Sequence, residues 1–88
     1  MEERKIQLEN AVGLMGRPAA NFISLARSFV SDIYLERDHK IYNGKSIMSI
    51  LSMGAGRDST VILRIEGEDE KDAAERLDHY LTEEILQI

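Results

Sequence analysis

Val61, Leu63 and Ile65 alternate with Ile62, Arg64 and Glu66, and Gly67 stops the run. A strand with one apolar face cannot stand alone. Its backbone groups need neighbouring strands, and its apolar face needs a cover. With 88 residues in all, the rest of the chain has to supply both around one core, so residues 1–88 are expected to form one domain.

Three other segments supply partners for that strand. Ile6 and Leu8 alternate with Lys5, Gln7 and Glu9, and Ile33 and Leu35 alternate with Asp32, Tyr34 and Glu36. The polar stretch Arg37-Asp38-His39-Lys40 then precedes Ile41 and Tyr42, which predicts a strand, a tight turn and a further strand. The cover comes from two segments with helical spacing. After Pro18, which suits a first helical turn, Ala19, Phe22, Ile23, Ala26, Phe29 and Val30 share a face. After Glu68-Asp69-Glu70, whose charges suit a helix N-terminus, Ala73, Ala74, Leu77, Tyr80, Leu81 and Ile85 do the same.

A third helix is shorter. Asn43-Gly44 signals a turn, Ser46 is a good N-cap, and Ile47-Met48-Ser49-Ile50-Leu51-Ser52-Met53 runs only to Gly54-Ala55-Gly56. About two turns cannot span a sheet, so its apolar side chains are expected to be half buried. The order is β-α-β-β-α-β-α, an α+β class in which a four-stranded antiparallel sheet is covered on one face by helices.

Composition removes several functions. Without cysteine there is neither disulfide nor thiolate zinc site, which fits a reducing compartment. The two histidines, His39 and His79, are isolated, so no metal site and no cofactor is expected. Glu68-Asp69-Glu70 with Asp72 is better explained by the helix dipole than by a cation. A net charge of −5 argues against direct binding to nucleic acid. The charged start Met1-Glu2-Glu3-Arg4-Lys5 leads into no apolar run, and nothing approaches the length of a membrane span. A cytoplasmic protein with no membrane partner is the expectation.

Two segments carry a family pattern: Gly13-Leu14-Met15-Gly16-Arg17-Pro18-Ala19-Ala20 and Asn43-Gly44-Lys45-Ser46-Ile47-Met48-Ser49-Ile50-Leu51-Ser52-Met53-Gly54. Together with the element order, the chain resembles HPr, the phosphocarrier of the bacterial sugar phosphotransferase system, over nearly its whole length. The resemblance implies an open-faced β-sandwich with sheet order 1-4-2-3. It also implies two sites, and one of them is altered. In the family's carriers a histidine stands two residues before the Arg-Pro pair, where this chain has Met15. An imidazole nitrogen can take and pass on a phosphoryl group, whereas a thioether is a weak acceptor with no proton to lose. Gly16 stands where alanine is usual.

The second site is intact. In Gram-positive members, HPr kinase/phosphorylase phosphorylates the serine that matches Ser46. Ser49 replaces the usual glycine and is expected to add a hydroxyl to the interface. Loss of the histidine with retention of the serine resembles the Crh-type, catabolite-repression branch of the family. There the modified protein is a corepressor of a LacI-type catabolite control protein. The implied contact surface comprises Met15, Arg17, Ala20, Asn21, Lys45, Ser46, Ile47, Met48 and Leu51. The protein is expected to act by being bound, not as an enzyme.

Other readings remain open at this level. Ser46 taken alone is a helix cap, Ile47, Met48 and Leu51 can be core, and Arg17 can be a solvated charge. The chain could instead be a decoy that binds enzyme I or permease domains without carrying phosphate. A ferredoxin-like small-molecule regulatory domain is a third reading, disfavoured by the short middle helix. The glycine-containing loop after the first strand leaves both a monomer and a strand-exchanged dimer open.

Overall fold

The computed structural model describes the whole chain, Met1–Ile88. Its elements are β1 (Glu2–Gln7), α1 (Gly16–Arg27), β2 (Asp32–Arg37), β3 (Lys40–Asn43), α2 (Ile47–Met53), β4 (Thr60–Glu66) and α3 (Glu70–Thr82), followed by a 3-10 turn over Glu84–Gln87. The strands are antiparallel in the order β1-β4-β2-β3.

The strongest alternating segment lies inside the sheet. In β4, Val61 pairs with Ile6, Leu63 lies between Arg4 and Leu35, and Ile65 lies between Glu2 and Ile33. These β4 side chains are buried, while Ile62 and Arg64 on the opposite face are half covered. Arg64 pairs across that open face with Glu3 on β1 and Glu36 on β2. The helices bring Ala19, Phe22, Ile23 and Ala26 from α1 and Ala73, Ala74, Leu77, Tyr80 and Leu81 from α3 into one core with the sheet. No helix is long and apolar enough to cross a membrane.

Element ends differ from the periodicity in physically informative ways. β1 starts at Glu2, which pairs with Ile65 of β4, and Arg4 on its helix-facing side is paired with Asp78 of α3 at 3.1 Å. Leu8 lies past the strand yet is fully buried, and its backbone groups bond Ser59 and Asp58. The apolar period of α1 runs on to Phe29 and Val30, but the helix stops at Arg27. The Ser28 hydroxyl donates to the Leu25 carbonyl, and the Asp69 carboxylate accepts the Val30 and Ser31 amides, so the chain turns into β2 there. Phe29 still packs against the core, while Val30 is exposed. Ile85 reaches the core from the 3-10 turn and not from α3 itself. The β2–β3 turn places Asp38 and His39 at φ 52° and 67°, the left-handed pair of a tight hairpin with matching twist.

Candidate functional site

Ser46 caps α2. Its backbone is extended, its Oγ accepts the Ser49 amide at 3.3 Å, and its carbonyl accepts the Ile50 amide at 3.0 Å. The loop before it is pinned along its length. Asn43 accepts the Ser46 amide through its carbonyl and the Lys45 amide through Oδ1, at 3.2 and 2.9 Å. Gly44 lies against β2, where a Cβ would come within 2.6 Å of Ile33 Cγ2, so a larger residue would force Ile33 to shift. Arg27 Nε donates to the Lys45 carbonyl at 3.0 Å, and Lys45 Nζ donates to the Phe29 carbonyl at 2.7 Å. The Lys45 ammonium is therefore tied to the α1–β2 connection. The Ser49 hydroxyl, expected at the interface, accepts the Asn43 amide at 2.8 Å.

The short helix divides its apolar residues as its length requires. Ile50 and Met53 are in the core, whereas Ile47, Leu51 and above all Met48, 74% accessible, face outward. Its two ends are both held. Gly54 closes the helix in the left-handed conformation, and Arg37 Nη1 donates to the Met53 and Gly54 carbonyls at 2.8 and 3.2 Å. A guanidinium there satisfies last-turn carbonyls and opposes the negative end of the helix dipole.

The segment around Met15 lies against the other end of α2. Leu14 donates its amide to the Ala55 carbonyl at 2.8 Å, and a Cβ on Gly13 would strike that same carbonyl oxygen. Met15 follows, exposed and in the N-cap position of α1, with no side-chain cap bond. Gly16 has a φ of 54° and open space around it, so the backbone conformation and not crowding favours glycine there. Arg17, Ala20 and Asn21 are exposed on α1, and Arg17 has no carboxylate within ion-pair distance. Pro18 is buried, and its carbonyl accepts the Tyr80 hydroxyl at 2.8 Å, which secures the start of α1 to α3. Burial pushes the Tyr80 phenol upward.

The structure thus brings Met15 and Ser46 to opposite ends of one short helix, about 10 Å long, that packs with α1. His39 sits exposed on the hairpin, and His79 faces Glu84 at 3.4 Å. A groove of about 670 Å³ lies between α1 and the C-terminal segment, lined by Asn21, Leu25, His79, Tyr80 and Glu84 among others, and no α2 residue lines it. No group of three or more His, Cys, Asp and Glu side chains is placed to hold a metal ion. What sequence patterns miss is the Arg37 cap and the Tyr80 bond to Pro18. Each acts across 16 or more positions of sequence, where no local spacing signals the contact.

Comparison with known proteins agrees with this geometry. Residues 2–83 match the family model described as the PTS HPr component phosphorylation site. The chain is 41% identical to the HPr-like protein Crh of Bacillus subtilis over 97% of its own length and 100% of that protein. It is 42% identical to the phosphocarrier protein HPr of Buchnera aphidicola, covering 94% and 98%. Among solved structures, HPr-C-His from Thermoanaerobacter tengcongensis matches with a TM-score of 0.95 and 40% identity, covering 100% of this chain and 98% of that one. Bacillus subtilis Crh, whose crystal structure is a domain-swapped dimer, matches with a TM-score of 0.76 and 42% identity over 99% and 100%. With family model, relatives and fold in agreement, the chain belongs to the HPr family and is similar to its Crh-type members.

Proposed function

We propose that the protein is a phosphorylation-switched regulator of carbon catabolite repression. HPr kinase/phosphorylase transfers the γ-phosphoryl group of ATP to Ser46 Oγ, and the modified protein then binds a LacI-type catabolite control protein as its corepressor. The observation that carries this reading is the Ser46 hydroxyl at the head of α2, beside the outward-facing Ile47, Met48 and Leu51. A phosphoserine adds about two negative charges and three acceptor oxygens. Next to an apolar patch, it offers a partner both contact area and a group that a basic side chain can bond. The flexible Met48 suits such a surface. Arg17, Ala20, Asn21 and Met15 on the α1 side extend it, and Lys45 contributes through its stem, because its charge and its backbone groups are already engaged with Phe29, Arg27 and Asn43.

Met15 removes the other phosphorylation input, so the protein carries no phosphohistidine. Its role is to be bound, in the cytoplasm, and it contacts the genome only through its partner. The test is mass spectrometry after incubation with kinase and ATP, then titration against the control protein. One phosphate on Ser46 and phosphate-dependent binding are expected. A non-carrying decoy would instead block enzyme I or a permease domain equally well as Ser46→Ala.

β1 is an edge strand that pairs only with β4 and leads into the glycine-containing loop at Gly13. These features would let β1 exchange between two chains, and the relative Bacillus subtilis Crh forms a domain-swapped dimer. Sizing at several concentrations should show a slowly interconverting dimer; a single monomeric species throughout would exclude it.

A further inference from the structure

The chain has three asparagines, Asn10, Asn21 and Asn43, and only Asn43 is followed by glycine. An asparagine carboxamide is open to attack by the backbone nitrogen of the next residue, and glycine there puts no Cβ in the way. In the fold both reacting groups are held. Gly44 is buried and donates its N–H to the Ile33 carbonyl at 2.8 Å. The Asn43 Oδ1 accepts the Lys45 amide at 2.9 Å, and the Asn43 amide donates to Ser49 Oγ at 2.8 Å. Bringing the Gly44 nitrogen onto Asn43 Cγ requires the Gly44 peptide to rotate. That rotation breaks the bond to Ile33 and moves Gly44 out of its place against the Ile33 side chain.

We infer that Asn43 is a latent self-modification site which the folded loop keeps silent, with Ser49 as one of its guards. When the loop opens, the Gly44 nitrogen forms a bond to Asn43 Cγ, and its proton departs with the carboxamide nitrogen as ammonia. Water then opens the five-membered succinimide at either carbonyl, leaving aspartate or isoaspartate at position 43. Isoaspartate inserts a methylene into the backbone three residues before Ser46, and either product places a negative charge in the loop. Chains that lose their fold would thereby lose the Ser46 switch permanently. That consequence rests on the proposed role of Ser46, whereas the gating of Asn43 does not.

The test is peptide mass mapping of the folded protein, of the protein in urea, and of folded Ser49→Ala, aged together in mildly alkaline buffer. Conversion at Asn43 is expected to be at least about tenfold faster in urea than in the folded protein, the factor set by the cost of opening the loop. Ser49→Ala should fall between them, and the Asn10 and Asn21 peptides should stay unchanged over the same time. Equal rates in the folded and unfolded protein would overturn the inference, as would an unmodified Asn43 in urea. No kinase enters the measurement, so its failure is distinct from a failure of Ser46 phosphorylation.

Discussion

Arg37 Nη1 lies 2.8 Å from the Met53 carbonyl oxygen, so a guanidinium from the β2–β3 hairpin closes the C-terminal end of the helix that begins at Ser46. A seven-residue helix has few bonds of its own and depends on its ends. Arg37→Met should destabilise the protein by about 1 kcal/mol, the usual net worth of such a bond. Urea denaturation measures it, and an unchanged midpoint would mean that water serves the Met53 and Gly54 carbonyls as well as Arg37 does.

Asp69 joins the start of α3 to the α1–β2 connection. The Ser31 hydroxyl, together with the Val30 and Ser31 amides, holds its carboxyl below the ordinary value of 3.8. A carboxylate depressed by folding contributes stability that is complete above its unfolded pKa and is lost as pH falls through the folded value. Asp69→Asn should therefore cost stability at neutral pH, and the gap from the wild type should close below about pH 4. Urea midpoints of both proteins across that range check it; a gap independent of pH would show that the ionised carboxylate is not what holds Val30 and Ser31.

Some of this architecture was legible in the chain and some was not. The alternation at Val61, Leu63 and Ile65 marks the strand that lies inside the sheet, and the Asn-Gly turn followed by Ser46 marks the capped helix. Those signals are local, because pleat and helix periods are local. Where α1 ends was not legible: Phe29 and Val30 continue its apolar period, but the turn is made by Asp69, about forty residues on. The Arg37 cap and the Tyr80–Pro18 bond are hidden for the same reason. Ser49 is subtler. Its place in the motif suggests a surface hydroxyl, yet its lone pair goes to the Asn43 amide that the preceding turn leaves free.

Met15 gives a gain-of-function test. The position is exposed at the start of α1, followed by Arg17 and the free amides of the first turn. The native protein should take no label from phosphoenolpyruvate and enzyme I, while Met15→His should become labelled. An unlabelled Met15→His variant would place the remaining defect in the backbone around Gly16, whose left-handed φ sets the direction of the helix start.

In the proposed function, Ser46 is the single phosphorylation input. That role is tested most directly by incubating the native protein and Ser46→Ala with HPr kinase/phosphorylase and ATP, locating the phosphate by mass spectrometry, and titrating each product against the LacI-type catabolite control protein. One phosphate on Ser46, none on Ser46→Ala, and a rise in affinity for the control protein only in the modified native chain are expected. An unmodified Ser46 in the presence of active kinase, or equal affinity with and without the phosphate, would contradict it.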